Sequence, residues 1–218
     1  MNRTITVQGV GRIAARADSV VLSVTLTARD KEYAAASQSA DEQARQLEEG
    51  LVRAGFAAEA LKTESFNVNV EYENVRDETG VYRNVRKGFF CTRRMKLQFD
   101  FERERLAAAL NALAGCPALP EFSVAFTVKD RETLHERALA AAAEDAKRRA
   151  KALLAAAGSK LGTLAEIRHG QDDRMPLSPT RLAAADGRAF AAAALAANVT
   201  PEDIDVCETA VFVWEIVD

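Results

Sequence analysis

Two histidines in 218 residues, three cysteines and a single tryptophan set the first limits on this chain. A metal centre gathers several His, Cys or carboxylate ligands in a few characteristic spacings, and neither histidine lies in an H-E-x-x-H or related run. Cys91, Cys116 and Cys207 are odd in number, far apart and never in a C-x-x-C pair. They carry no redox motif or disulfide framework, and all three read as buried apolar thiols. No apolar run approaches the ~18 residues of a membrane-spanning helix. Charge of one sign is not in excess: 29 Lys and Arg against 32 Asp and Glu leave a net charge of −3 and a pI near 5.6. That balance gives no global attraction for phosphate backbones, so a nucleic-acid role is not expected without a local basic patch. The N-terminal "MNRTITVQG" enters a strand pattern without a basic, then apolar, then small-residue leader. The expected place is therefore the cytoplasm, or the periplasm if a signal segment has been trimmed away.

What is present is ordinary globular material, 48% hydrophobic and 28% charged, long enough to bury a proper core. The run Gly9-Val10-Gly11-Arg12-Ile13-Ala14 matches the spacing G-x-G-x-x-A, with Ile5 and Val7 before it and Asp30 and Glu32 beyond, as in a dinucleotide-binding turn. Such a turn must open a helix whose N–H groups hold the pyrophosphate. Here the next stretch, "SVVLSVTLTA", alternates Leu22, Val24 and Leu26 with Ser23, Thr25 and Thr27, the period of a half-buried strand. No cofactor is expected. The glycine pair reads instead as a bulge or a close backbone approach near the end of a first strand, with residues 13–18 turning the chain.

Tyr33, Ala36, Ala40, Ala44, Leu47 and Leu51 recur at helical steps, and Gly55 ends that helix. Residues 61–101 read as a long hairpin: Phe66, Val68, Val70 and Tyr72 keep one phase, "RDETG" supplies the turn, and a bulge near Lys87-Gly88 resets the return strand. A short helix closed by Gly115, the strand "EFSVAFTVKD" and a long helix capped by Asp130 follow. Ala138, Ala142, Ala146 and Ala150 form a row of small residues, which predicts a packed seam. After the strand "LGTLAEIRHG", residues 171–202 are broken by Pro176 and Pro179 and then rich in alanine, a flexible excursion with little apolar mass to anchor it. "IDVCETAVFVWEIVD" is the last strand. The fold class is α+β, mainly antiparallel sheets with helices packed on one face, one domain over 1–218 made of two interwoven ferredoxin-like subdomains.

These features in this order resemble the SIMPL-domain, or YggE-like, proteins of bacteria. The resemblance rests on "ITVQGVG", Ala17-Asp18 where the family usually has Pro-Asp, "AGF" at 54–56, "LKTESFNVNVEY" at 61–72, "GFFCTRRMKLQF" at 88–99, "ALAAAAEDAKRRAKALLAAAG" at 138–158 and the final "VFVWEI". It implies an α+β protein that forms oligomers, large rings in some relatives, with links to oxidative or envelope stress. Many relatives are exported to the periplasm or associated with the outer membrane. The family carries no established catalytic residues, and none is transferred.

The residues agree with a non-enzymatic reading. His135 reads as a solvated helix residue; His169 with Asp172 and Asp173 reads as a polar turn rather than a metal site. Ser178, between Pro176 and Pro179, has nothing in sequence to activate it. The expected function is a homo-oligomeric assembly or scaffold. Its contacts are sought in 61–101 and 175–200, at Phe66, Val68, Tyr72, Tyr82 and Phe89 of the hairpin and at Phe190 and Leu195. The alternative is binding of an anionic ligand or single-stranded nucleic acid through Arg83, Arg86, Lys87, Arg93 and Arg94, with Lys96 beside them. A second basic run, Lys147, Arg148, Arg149 and Lys151, has Glu144 and Asp145 at pairing distance along the helix. The ligand itself is not named by the sequence.

Overall fold

The computed structural model describes residues 3–76, 81–170, 175–184 and 199–218. Its elements in chain order are β1 (Thr4–Ala15), β2 (Ser19–Asp30), α1 (Tyr33–Arg53), β3 (Leu61–Arg76), β4 (Tyr82–Asp100), α2 (Arg103–Ala114), β5 (Glu121–Thr127), α3 (Arg131–Ala156), β6 (Lys160–His169), β7 (Leu177–Ala184) and β8 (Ile204–Val217). The α+β class stands. The strands form a three-stranded sheet in the order β1-β8-β6 and a five-stranded sheet in the order β3-β4-β2-β5-β7. Two compact units result, interwoven in sequence: 1–18, 127–179 and 201–218 make one, and 19–126 with 180–200 make the other.

The second unit runs β2-α1-β3-β4-α2-β5, the split arrangement of ferredoxin-like folds, with strand order β5-β2-β4-β3. Helix α1 buries Ala36, Ala40, Ala44, Leu47 and Leu51, the stripe read from the sequence. Gly55, at φ 92°, ends it in the left-handed conformation that a side chain would resist. Beyond the helix Phe56 meets the edge of Phe99 with ring centres 5.0 Å apart. The hairpin register confirms the bulge: Gly88 pairs with Glu71 and Arg86 with Tyr72, which leaves Lys87 as the extra residue. Gly88 is needed there because a Cβ would stand 2.4 Å from the Asp30 carbonyl oxygen.

In the first unit β1 and β8 pair without a shift from Thr4↔Glu215 to Ala15↔Ile204. The glycine pair thus lies inside a continuous strand. It is not a bulge near a strand end, and the strand extends into the stretch read as a turn. What the glycines permit is close approach. A Cβ on Gly11 would sit 1.8 Å from the Ala138 carbonyl oxygen, and one on Gly9 would sit 1.9 Å from that of Ala142. The alanine row of α3 is the seam the sequence predicts, with β1 backbone against it. The two repeats match, since two strand residues advance ~6.7 Å and four helical residues ~6 Å. Around this contact Val7, Ala146, Ala150, Ala210, Phe212 and Trp214 form one apolar cluster, and Val128, Leu134, Ala138, Ile204 and Val206 form another.

The outer edge of β1 is braced by the same helix. Asp145 Oδ2 accepts from the Val10 N–H at 3.1 Å and lies 2.9 Å from Arg149 Nε, while Arg148 holds Oδ1. The Val10 amide, with help from Arg148 and Arg149, holds the Asp145 carboxyl below its ordinary range.

Part of the stretch read as an excursion, 177–184, is a strand. Leu177–Ala184 is the outer strand β7, an edge position where proline is tolerated. Ser178 is fully buried and its Oγ donates to the Glu202 carbonyl oxygen at 2.7 Å. Phe190 and Leu195 lie outside the described residues. No helix among the described residues is long and apolar enough to cross a membrane.

Gly9→Ala and Gly11→Ala should each destabilise the protein by about 3 kcal/mol or prevent folding, although alanine ordinarily improves on glycine inside a strand. Gly170, with open space around it, provides the control. Urea unfolding of the three variants decides the point; a neutral Gly9→Ala would mean that the strand and helix separate at little cost. The Asp145 contribution has a definite sign. A folded value below the unfolded one stabilises above about pH 4 and is lost as acid titrates the folded carboxylate. Asp145→Asn should therefore show a shallower fall of the urea midpoint between about pH 5 and pH 2 than the wild type, and parallel curves would refute it.

Candidate functional site

Alternation along β8 sends Val206, Glu208 and Ala210 to the side packed on α3. A glutamate in that series is out of keeping, and Glu208 is only 5% exposed, directly across from Gly11. Both histidines of the chain reach it. His135, one turn before Ala138 on α3, places Nδ1 2.6 Å from Glu208 Oε1, and His169, the last residue of β6, places Nε2 3.3 Å from Oε2. Their side chains are 27% and 26% exposed. The reading of His135 as a solvated helix residue is corrected: its ring fastens α3 to β8. Asp172 and Asp173, proposed beside His169, lie outside the described residues.

The arrangement has a clear electrostatic logic. A carboxylate removed from water is costly unless hydrogen bonds compensate it, and two imidazoles supply them. Each ring uses one nitrogen on its own carboxylate oxygen, so the rings are oriented toward the glutamate and not toward a shared point. Among the described residues no group of three His, Cys, Asp or Glu side chains is placed to hold a metal ion. The arrangement is a pair of imidazoles that one carboxylate orients.

The thiols do not join this cluster as a pair. All three are free; Cys91 and Cys116 are buried, and burial pushes both thiols up. Cys207 corrects the expectation of three buried thiols, because it is exposed, on the opposite phase of β8 from Glu208.

The residues named for anion binding are scattered in their engagements. Arg93 pairs with Asp41 and stacks over Phe66 at 4.9 Å, Arg86 lies 5.3 Å from the centre of Phe89, and Lys87 meets Glu71 at 3.6 Å. Arg83 is exposed near the hairpin end. Arg94 is exposed on the opposite face from Arg93. In the other unit, Asp145 takes up Arg148 and Arg149, as the spacing along the helix predicts. The contact residues divide as well. Val68 and Phe89 turn inward onto Ala28, Ala36, Ala40 and Cys91, whereas Phe66, Tyr72 and Tyr82 are exposed, the tyrosines to 57% and 69%.

The SIMPL family model, described as a protein of unknown function (DUF541), matches residues 5–214. The chain belongs to the SIMPL family. A comparison with curated proteins returned no match. The family match spans both sheets and all three helices, so the glycine–alanine seam and the His135–Glu208–His169 cluster both lie within the SIMPL region. Sequence reasoning missed Glu208, yet a signal for it is present: in "IDVCETAVFVW" it is the one charged residue on the phase of Val206, Ala210 and Phe212.

Glu208→Ala should cost about 3 kcal/mol by leaving two imidazole donors without their acceptor. A double-mutant cycle of Glu208→Ala with His135→Ala, read by urea unfolding, should give a coupling above about 0.5 kcal/mol. Strict additivity would show that the contact does not bind α3 to β8.

Proposed function

We propose that this SIMPL protein works as a non-catalytic module that assembles with copies of itself through the β3–β4 hairpin. One observation carries the reading. β3 is an outer strand of 16 residues, and its partner β4 begins with six exposed residues, so among the described residues the end of the hairpin is exposed on both faces. Val70, Tyr72, Val75, Val81, Tyr82 and Val85 are all exposed there. An edge that long is ordinarily shortened, covered or charged, because its free N–H and C=O groups recruit other strands. Glu64, Glu71 and Glu73 do place charge on β3, but aromatic and branched apolar residues stand between them, the composition of a strand that gains by pairing. The part-buried His–Glu–His cluster supports the non-catalytic part, since both histidines bond inward to the buried Glu208 and join three elements.

On the resemblance alone we place the assembly in a stress-related setting, oxidative or of the envelope. Light scattering after size exclusion should give a discrete multiple of the 23.6 kDa chain mass, and Tyr72→Glu with Tyr82→Glu should lower it while the circular dichroism stays unchanged. A wild-type monomer at every concentration would sink the assembly reading. The same double variant should also fail to restore peroxide resistance to a strain lacking the protein; full restoration would detach the stress role from the assembly.

A further inference from the structure

The five-stranded sheet has one face under α1, and on its other face a set of side chains from β3, β4 and β2 is exposed or half-buried. The register defines that set row by row. Lys62, Lys96 and Ser23 lie side by side across β3, β4 and β2, and the next row holds Ser65, Arg94 and Thr25. Asn67, Thr92 and Thr27 make the third row, and Asn69, Phe90 and Arg29 the fourth. These rows alternate with those of Phe66, Val68 and Cys91, the last two of which pack toward α1, so they belong to the other side of the sheet. All of their side chains are exposed or half-buried.

Within these four rows of β3, β4 and β2 the charge is one-sided: they carry Lys62, Lys96, Arg94 and Arg29 and no carboxylate, while Asp100 and Glu71 lie on the same face beyond their two ends and Glu121 stands on the exposed phase of β5. Glu71, just beyond them, lies 3.6 Å from both Arg29 and Lys87. Lys62, Arg94 and Lys96 form no ion pair among the described residues, and Lys62 stands directly opposite Lys96. Like charges directly across a strand pair are destabilising, and among the described residues neither lysine has an ion-pair partner. An anion laid across the strands would relieve the pair.

We infer that this sheet face binds single-stranded nucleic acid, with Lys62, Arg94 and Lys96 on the phosphates and Phe90 as the aromatic platform. The charge complementarity is local and independent of the acidic pI of the whole chain. The residues between the cations also fit this occupant. Asn67, Asn69, Thr25, Thr27 and Thr92 present amides and hydroxyls that can meet base edges, and Arg29 lies over Phe90 at 6.0 Å, where a base can stack on either group. A membrane surface fits less well, because this face has no exposed aliphatic residue to insert among lipids. The inference does not depend on hairpin assembly, which uses the far ends of β3 and β4.

The probe is a fluorescein-labelled oligothymidine of about twenty nucleotides, read by anisotropy with the intact protein from about 20 mM to about 200 mM salt. The wild type should bind at low salt and weaken steeply. Arg94→Ala with Lys96→Ala should reduce low-salt affinity by roughly tenfold or more and flatten the log–log salt slope by about 1.4, two single-strand phosphate contacts at about 0.7 each. Arg83→Ala with Arg86→Ala, on the hairpin end, should bind as the wild type does. Circular dichroism and solution mass confirm that each variant is folded and equally assembled. No binding at about 20 mM salt overturns the inference, as does an unchanged Arg94→Ala/Lys96→Ala variant. Vesicles of phosphatidylserine that bind through the same two cations while the oligonucleotide does not would reassign the face to lipid, and so overturn it also.

Discussion

The fold of the first unit depends on how near a strand can come to a helix. β1 lies so close to α3 that no Cβ fits at Gly9 or Gly11, and the helix answers with Ala138, Ala142 and Ala146. Close contact of this kind gains dispersion energy over many atom pairs and excludes water from both backbones. It also fixes the relative height of strand and helix, because glycines two apart on the strand meet alanines four apart on the helix. Once that register is set, Asp145 falls opposite the Val10 N–H, and His135 falls opposite Glu208.

Glu208 is the polar counterpart of that seam. It sits between the two apolar clusters of the unit, where an isolated carboxylate would oppose folding. Imidazoles from α3 and β6 convert it into a joint that only the correct arrangement of three elements can satisfy. Apolar packing is tolerant of small slips; a buried carboxylate with two specific partners is not. The same helix therefore contributes closeness through alanines and position through one histidine and one aspartate.

The second unit solves a different problem. Its α1 face is closed by alanines, leucines and edge-to-face aromatics, while exposed side chains stand on the other face and at the hairpin end. Two surfaces of different chemistry result, apolar and aromatic on the hairpin, cationic and hydrogen-bonding on the sheet. Because they occupy different stretches of β3 and β4, the proposed self-assembly and the inferred anion binding can be tested separately on one ferredoxin-like sheet.

Local chemistry was legible in the sequence. Gly55 as a helix stop, Asp130 as a cap whose side chain accepts from the Thr133 N–H at 3.0 Å, the extra residue at Lys87 and the alternating phases of β2 and β8 all follow from periods and turns within a few residues. The alanine row announced a seam, but its partner lies more than a hundred residues away, and the glycines alone left a bulge and a close backbone approach as alternatives. β7 was read as an excursion because two prolines and a run of alanines carry no strand period; its place at a sheet edge overrides propensity. The cluster at Glu208 escaped for the same reason, since its bonds join residues 73 and 39 positions apart. By itself the sequence determined the three helices and most of the strands, and which of their faces are apolar. Only the tertiary structure decided what each face meets, because the distances that make a histidine a fastener or a lysine pair a cationic patch are set between strands and helices that no local pattern connects.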